Sequence, residues 1–421
     1  MDIIKNLKSR FDSVQCDFLI AIAAIFLPFY ITVVIHAIIF FKWIKQGEVK
    51  KGYEETKRSK YIIFFSALIF LTSVFYQNWP GAGVSLGYFM LYSMTLVYRR
   101  HASEELFDTM LNIVIGLSVF ASVWAIIEYI FILRQFDLEG WYLVVFNAPQ
   151  YRTNAMFFNA NYYAMMIEFF VAICFYKFLK YTHNHGFMDH IKEIVIIGLI
   201  TLLNLFCLYL TGCRTAWPAL AGGLAIMLLF NRNYKSFGGI CAVGAAGVGF
   251  FIAKPQYIPR MSNIVKYLGV RKHIWEVAIQ NIKTHFLFGE GPMTYWHIYA
   301  QYNGHPTQHS HNIFIDPVLC FGIIGLLVIA PFFIENIKRL YRLLRTKCNP
   351  TLVALIVGYI VMIYIHGLLD YTIFFVSTGF LFAMIVSSFD IYRKEIDQKG
   401  NDSLPFYKGE KEWIKNYTRL M

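Results

Sequence analysis

Polar sequence is what this chain is short of. Only 15% of its 421 residues are Asp, Glu, Lys or Arg, and no stretch reads as a soluble domain or as one unit of a repeat. Its seven cysteines, Cys16, Cys174, Cys207, Cys213, Cys241, Cys320 and Cys348, include no CxxC pair and no zinc-ligand spacing. That absence argues against a disulfide framework or a structural zinc. Most of the seven lie inside apolar runs, where a thiol packs as a small hydrophobe. No short apolar region with a small-residue cleavage site stands near Met1, so the first long helix is expected to serve as the insertion signal. The positive balance, 38 Lys and Arg against 26 Asp and Glu, is concentrated between the apolar runs. It is read as a topology signal, not as nucleic-acid binding.

Hydrocarbon is what the chain has in excess. Hydrophobic residues make up 57% of it, and its mean hydropathy is +0.49. A bilayer core roughly 30 Å thick needs about 20 apolar residues per crossing helix. Runs of that order recur at 18–41, 60–77, 80–98, 106–132, 157–180, 191–211, 215–231, 236–253, 311–333, 350–369 and 371–390. The expectation is an all-α, polytopic transmembrane bundle of about eleven helices (roughly 10–12). Residues 1–390 would form one transmembrane domain, and 391–421 a cytoplasmic tail.

Short cytoplasmic loops collect Lys and Arg. The basic segment KRLYRLLRTK, Lys338–Lys347, therefore marks the inside. Counting back from it puts 42–60, Arg99–Arg100, 181–192 and 231–235 inside as well. The 133–156 loop, the Gly212–Arg214 turn and a large 254–310 loop carrying an amphipathic helix fall outside. One conflict stands: Lys5, Lys8 and Arg10 also fall outside.

Candidate chemistry collects between Arg271 and Gly325. In VRKHIWEVAIQNIKTH, Arg271 and Trp275 share a helical face, while Ile274, Ala278 and Ile282 make an apolar stripe. Such a helix lies along the outer membrane boundary or closes on the bundle as a lid. Beyond the turn GEGPMTYW come four histidines, His297, His305, His309 and His311. His309-x-His311 has no carboxylate or cysteine beside it, Asp316 being down the next helix. A general base is therefore preferred to a metal site, since an imidazole with an ordinary pKa of about 6.5 suits proton removal from a hydroxyl. Arg152 and Arg214 stand at outer ends of apolar runs. Several outward-facing guanidiniums suit phosphate, whose oxygens their fork meets bidentately. The plainer alternative is an interfacial Arg reaching lipid phosphates.

The run His311-Asn312, nine residues, Gly322-x-x-Gly325 resembles the His-Asn-x9-Gly-x-x-Gly signature of the O-antigen ligase and O-antigen polymerase superfamily. These are integral membrane glycosyltransferases that use undecaprenyl-pyrophosphate-linked glycans. Other pieces resemble the same family in the same order. FFNANYYA (157–164) is similar to its Asn-Pro-Asn helix start, with Ala160 for the usual proline. TGCRTAW (211–217) is similar to its Thr-x-Ser-Arg segment, with Cys213 for serine. Arg271-x-x-x-Trp275 and Gly289-x-Gly291-Pro292 resemble its outer-loop helix and the turn after it, and HGLLDY (366–371) its penultimate outer turn. The threonine pair that follows Gly-x-x-Gly in many lipopolysaccharide ligases is absent, with Leu326–Leu327 in its place.

The resemblance implies a bacterial cytoplasmic-membrane enzyme with its active site facing the extracytoplasmic side. The donor would be a glycan on undecaprenyl pyrophosphate, and the acceptor a glycan, lipid or wall hydroxyl. Arg214 and Arg271, with Arg152, would hold the departing pyrophosphate. His311 would deprotonate the acceptor for displacement with inversion, and His309 would tune or substitute for it. Asn312 and Asp370 would orient the acceptor or the imidazole, and Asn161 and Trp275 would add substrate contacts. Neither metal nor cofactor is required, because the leaving group is already activated. A polymerase or wall-glycan transfer is favoured over a ligase by the missing threonines. The rival from another class is a secondary transporter or flippase, which tends to bury its ionisable groups near the midplane of repeated halves. Here they cluster at one face.

Overall fold

A run of apolar residues in hydrocarbon satisfies its own backbone as helix. The computed structural model describes residues 9–138, 149–184, 187–254 and 264–399, and among these the chain is helical with no strand. Lys5, Lys8, the middle of the 133–156 loop, residues 255–263 and the tail from 400 lie outside the described residues. In chain order come α1 (Ser13–Ala24), α2 (Phe29–Lys45), α3 (Glu48–Glu55), α4 (Lys60–Phe75), α5 (Trp79–His101) and α6 (Glu104–Gln135). Then follow α7 (Ala160–Asn184), α8 (Ile191–Leu210), α9 (Ala216–Phe230), α10 (Tyr234–Ala253) and α11 (Ile264–His285). The last are α12 (Thr294–Ile298), α13 (Ile315–Thr346), α14 (Pro350–Gly367), α15 (Val376–Ser387) and α16 (Arg393–Lys399).

Five of these are long and apolar enough to cross a membrane alone: α6, α7, α8, α13 and α14. The pair α2 and α3, bent by 78°, makes a sixth if counted as one span. The sequence led to about eleven crossings, whereas length and apolar composition together support five or six. Helices α1, α4 and α9 are apolar but only 12, 16 and 15 residues long.

The apolar run 18–41, expected as one span, is instead a helical hairpin. Pro28 has no N–H to continue the first helix and disfavours α geometry in the residue before it, and α2 starts at the next residue. Lys42 Nζ and Trp43 Nε1, at the far end of α2, donate to Asp17 near the start of α1 at 2.8 and 2.9 Å. Both open ends therefore sit together. Arg10 pairs with Glu105 at 2.7 Å, and His101 with Asp12 at 3.1 Å. Arg10 thus stands at the same end of the bundle as Arg99, Arg100 and the 42–60 loop, and its charge conflict disappears.

The core is organised around α7, whose most apolar window is 89% buried against 28% for the peripheral α8. Tyr163, Phe169 and Phe170 of α7 have no exposure, and Phe169 stacks on Tyr359 of α14 at 4.2 Å between ring centroids. At the basic end, the segment Lys338–Lys347 is not a loop but the last turns of α13. Asp390, fully buried, accepts from Arg99 at 2.6 Å and from Arg339 Nε at 2.9 Å. Arg339 also reaches Asp397 of α16 at 3.0 Å, and Ile396 is wholly buried. The described start of the tail is therefore docked, not merely solvated.

Removing one member of a buried ion pair leaves its partner's charge uncompensated, at a cost of about 3–5 kcal/mol. Asp390→Asn is expected to lower the thermal unfolding midpoint of the detergent-solubilised protein markedly. An unchanged midpoint would show that this cluster does not hold the basic end together.

Candidate functional site

Opposite the basic end, several distant loops meet. The segment that carries Arg152 enters α7 after a short 3-10 turn at Pro149–Tyr151. Glu128 of α6 fixes it by accepting from the N–H groups of Asn154 and Ala155 at 3.0 and 2.8 Å. Arg152 donates to the carbonyl of Thr211, which ties this segment to the TGCRT turn between α8 and α9. Its other nitrogen donates to Oδ1 of Asn161, in the first turn of α7. Asn161 Nδ2 in turn donates to Oδ2 of Asp370, in the turn after α14.

Asp370 is the meeting point. Its Oδ1 accepts from Tyr371 N at 2.8 Å and lies 2.8 Å from His311 Nδ1. Burial alone would raise this carboxyl, but the His311 imidazole bonded to it holds it well below the usual carboxylate range. An ionised carboxylate only accepts, so Nδ1 of His311 carries the proton and Nε2 is the basic nitrogen. That nitrogen lies 2.9 Å from the Thr307 hydroxyl. The carboxylate missing beside His309-x-His311 in the sequence is thus supplied from 59 residues away.

His309 is buried beside this pair. Its Nδ1 accepts from His311 N at 3.3 Å, while Nε2 lies 3.3 Å from the Tyr162 hydroxyl and 3.9 Å from Asp370. Burial first, then the charges of His311 and Arg271, lower its pKa to about 3. The ligand atoms of His309, His311 and Asp370 all lie within 4.8 Å of one another, close enough for a metal ion. The 2.8 Å contact between His311 Nδ1 and Asp370 Oδ1 is equally the geometry of a carboxylate–imidazole pair. His305 is exposed, and neither it nor His297 lines the cavity at His311.

That cavity, of about 220 Å³, is lined by Phe158, Asn159, Trp296, Thr307, His311 and Asp370 among others. An apolar cavity of about 440 Å³ adjoins it through Phe158, Tyr162 and Gln308 and runs between α2, α5 and α15. On the Asn161 side the arginines gather. Partial burial, then the positive charges of Arg271 and Arg152, pull the Arg214 guanidinium below its ordinary value. Burial and Arg271 do the same to Arg152. Arg152 and Arg214 therefore both stand within the field of the Arg271 charge. Arg271 Nε and Trp275 Nε1 are buried donors with no hydrogen-bond partner.

Arg271 and Trp275 are held by the expected apolar stripe. Ile274, Val277 and Ala278 of α11 pack on Tyr295 and Ile298 of α12 and Leu319 of α13, so α11 closes on the bundle as a lid. Asn312 Oδ1 accepts from Phe314 and Ile315 N, and its Nδ2 donates to Leu368 O at 3.1 Å. It ties the chain after His311 to the turn of Asp370. Tyr162 and Thr307 escaped the sequence reading, although both lie within segments it had singled out.

Gly322 of the Gly-x-x-Gly motif breaks α13, with φ 58° and ψ 179°. The N–H groups of Ile323 and Ile324, freed by the break, donate to Phe286 and Leu287 carbonyls at 2.9 and 3.0 Å. The loop after α11 is thereby plugged into α13. Gly291, at φ 88°, bonds the Cys320 carbonyl at 2.9 Å from the same loop.

A protein-family model described as O-antigen ligase matches residues 199–330. The match takes in Arg214, Arg271, Trp275, His309, His311 and Asn312, and it supports the O-antigen ligase and polymerase superfamily. No curated protein matches the chain significantly.

A side chain at Gly322 would put Cβ 2.4 Å from the Leu287 carbonyl, in a backbone region that is essentially glycine's alone. Gly322→Ala is expected to cost on the order of 1–3 kcal/mol and to loosen the 286–291 loop, read as faster hydrogen exchange there. Unchanged exchange would mean the break is not what docks the loop.

Proposed function

We propose, from the O-antigen ligase match and the site geometry together, that this membrane protein transfers a glycan from a polyprenyl-pyrophosphate donor to an acceptor hydroxyl. His311 Nε2 takes the proton of that hydroxyl. The freed oxygen attacks the anomeric carbon, the bond from that carbon to the pyrophosphate oxygen breaks, and the configuration inverts. The lipid pyrophosphate departs with the electron pair. Asp370 holds the His311 tautomer and stabilises the imidazolium as it forms, as a carboxylate does beside a catalytic histidine. Arg152, Arg214 and Arg271 meet the charge that develops on the leaving group, with Trp275 as a further donor. The chain of bonds Arg152–Asn161–Asp370–His311 is the single observation that carries this reading: it ties the arginine cluster to the base. No metal enters the scheme.

The substrates face the extracytoplasmic side of a bacterial cytoplasmic membrane, and the adjoining apolar cavity suits a lipid chain. Undecaprenyl pyrophosphate is the carrier, and a polymerase or wall-glycan transferase is favoured over a ligase by Leu326–Leu327. A transporter has no use for a base set against a carboxylate beside arginines at one face.

The test is reconstitution with a defined lipid-linked repeat, with and without a separate acceptor, followed by sizing of the glycan. A ladder marks a polymerase, a single shifted acceptor a ligase, and movement without any new linkage a transporter. In that assay His311→Ala is expected to lose about 10²–10⁴-fold in turnover while remaining folded. Near-normal transfer would remove His311 as the base. Arg214→Lys is expected to be severely impaired, because an ammonium offers no fork to the phosphate oxygens; full turnover would make Arg214 a merely interfacial charge. Transfer is expected to persist in EDTA, and loss restored by one divalent ion would revive the metal cluster.

A further inference from the structure

Deeper between the two helices that carry Asn161 and Asp370 lies a second polar pair. Glu168 Oε1 is 2.6 Å from His366 Nδ1, and neither side chain has any exposure. His366 Nε2 faces the buried Cys213 thiol at 3.9 Å. Ionisable groups inside a membrane bundle are costly, and an apolar pair of similar volume is often as stable or more so. Glu168 Oε2 is even left without a hydrogen-bond partner. Stability therefore does not account for the pair.

Location does. Asn161 and Glu168 are seven residues, two turns, apart on one face of α7. His366 precedes Asp370 by one turn, and the Asp370 N–H bonds the His366 carbonyl at 3.2 Å. Cys213 is the residue before Arg214. A single imidazole thus gives three segments a common reference: α7 below Asn161, the end of α14 above which Asp370 stands, and the turn that carries Arg214.

We propose that Glu168 and His366 are positioning residues for glycan transfer, holding the Arg214 turn and the Asp370–His311 pair at a fixed separation. The proposal rests on the function argued above. Neither residue lines the cavity at His311, so both act through Asp370 and Arg214. Without them the donor still binds, but the base and the leaving-group site lose their alignment. A displacement of about 1 Å costs on the order of 100-fold in rate.

The experiment measures transfer and thermal unfolding of the full chain reconstituted with a lipid-linked repeat. Glu168→Leu combined with His366→Phe is expected to keep the wild-type unfolding midpoint or raise it. Its kcat should fall about 100-fold, with KM for the donor within a few-fold of wild type. Glu168→Gln keeps an acceptor facing His366 and recovers most of the turnover. Should the double variant fail to fold, Cys213→Ala tests the Arg214 arm alone and is expected to lower kcat with folding intact. Wild-type kcat in the double variant, or in Cys213→Ala, overturns the proposal. So does a loss of turnover that only follows the loss of folded protein, Glu168→Gln included. If the wild-type protein transfers no glycan at all, the transfer reading fails first, and this inference falls with it.

Discussion

The buried carboxylate of Asp370 is the constraint on which the site depends. A lone carboxylate in a largely apolar bundle is prohibitively costly, so it exists only because donors surround it. Asn161 comes from α7, His311 from the loop before α13, and the Tyr371 N–H from its own turn. Satisfying one anion thus forces three distant segments to meet. The same arrangement leaves His311 with a protonated Nδ1 and a basic Nε2 facing a cavity. One electrostatic requirement therefore sets both the architecture of this end and the chemistry it offers.

Backbone geometry completes the assembly. The break at Gly322 opens two N–H groups in the apolar first part of α13, where unpaired donors are not tolerated. Carbonyls of the loop after α11 take them up. That docking fixes the far end of α11, on which Arg271 and Trp275 stand. The two ends of the bundle follow one rule with opposite results. At the basic end, the charges of Arg99, Arg339 and Asp390 neutralise one another and lock helices together. At the site end, Arg152, Arg214 and Arg271 oppose one another instead, and Arg152 is tied through Asn161 to Asp370.

Much of this was legible along the chain because it rests on local chemistry. Apolar runs announce helices, since a backbone in hydrocarbon has little other choice. The basic loops announced the end at which Arg99 and Arg100 lie. Arg152, Arg214, Arg271, His309 and His311 stood out because ionisable residues beside membrane helices are rare. Other features were invisible. Pro28 gave no warning that 18–41 is a hairpin until Lys42 and Trp43 were found on Asp17. Asn312 looked like a ligand-facing amide, yet both ends of that amide are spent on the backbone of its own loop and of the 366–370 turn.

The amino-acid sequence by itself determined that the chain is helical, membrane-suited and equipped with arginines and histidines on a few polar segments, because composition and hydrophobic runs act over short distances. Only the tertiary structure decided which of those residues meet. The partner of His311 lies 59 residues away, and the link from Arg152 to Asp370 passes through an asparagine of a third segment. Such pairings arise from how helices pack and where a turn lets a carboxylate descend, and no spacing along a single chain encodes them.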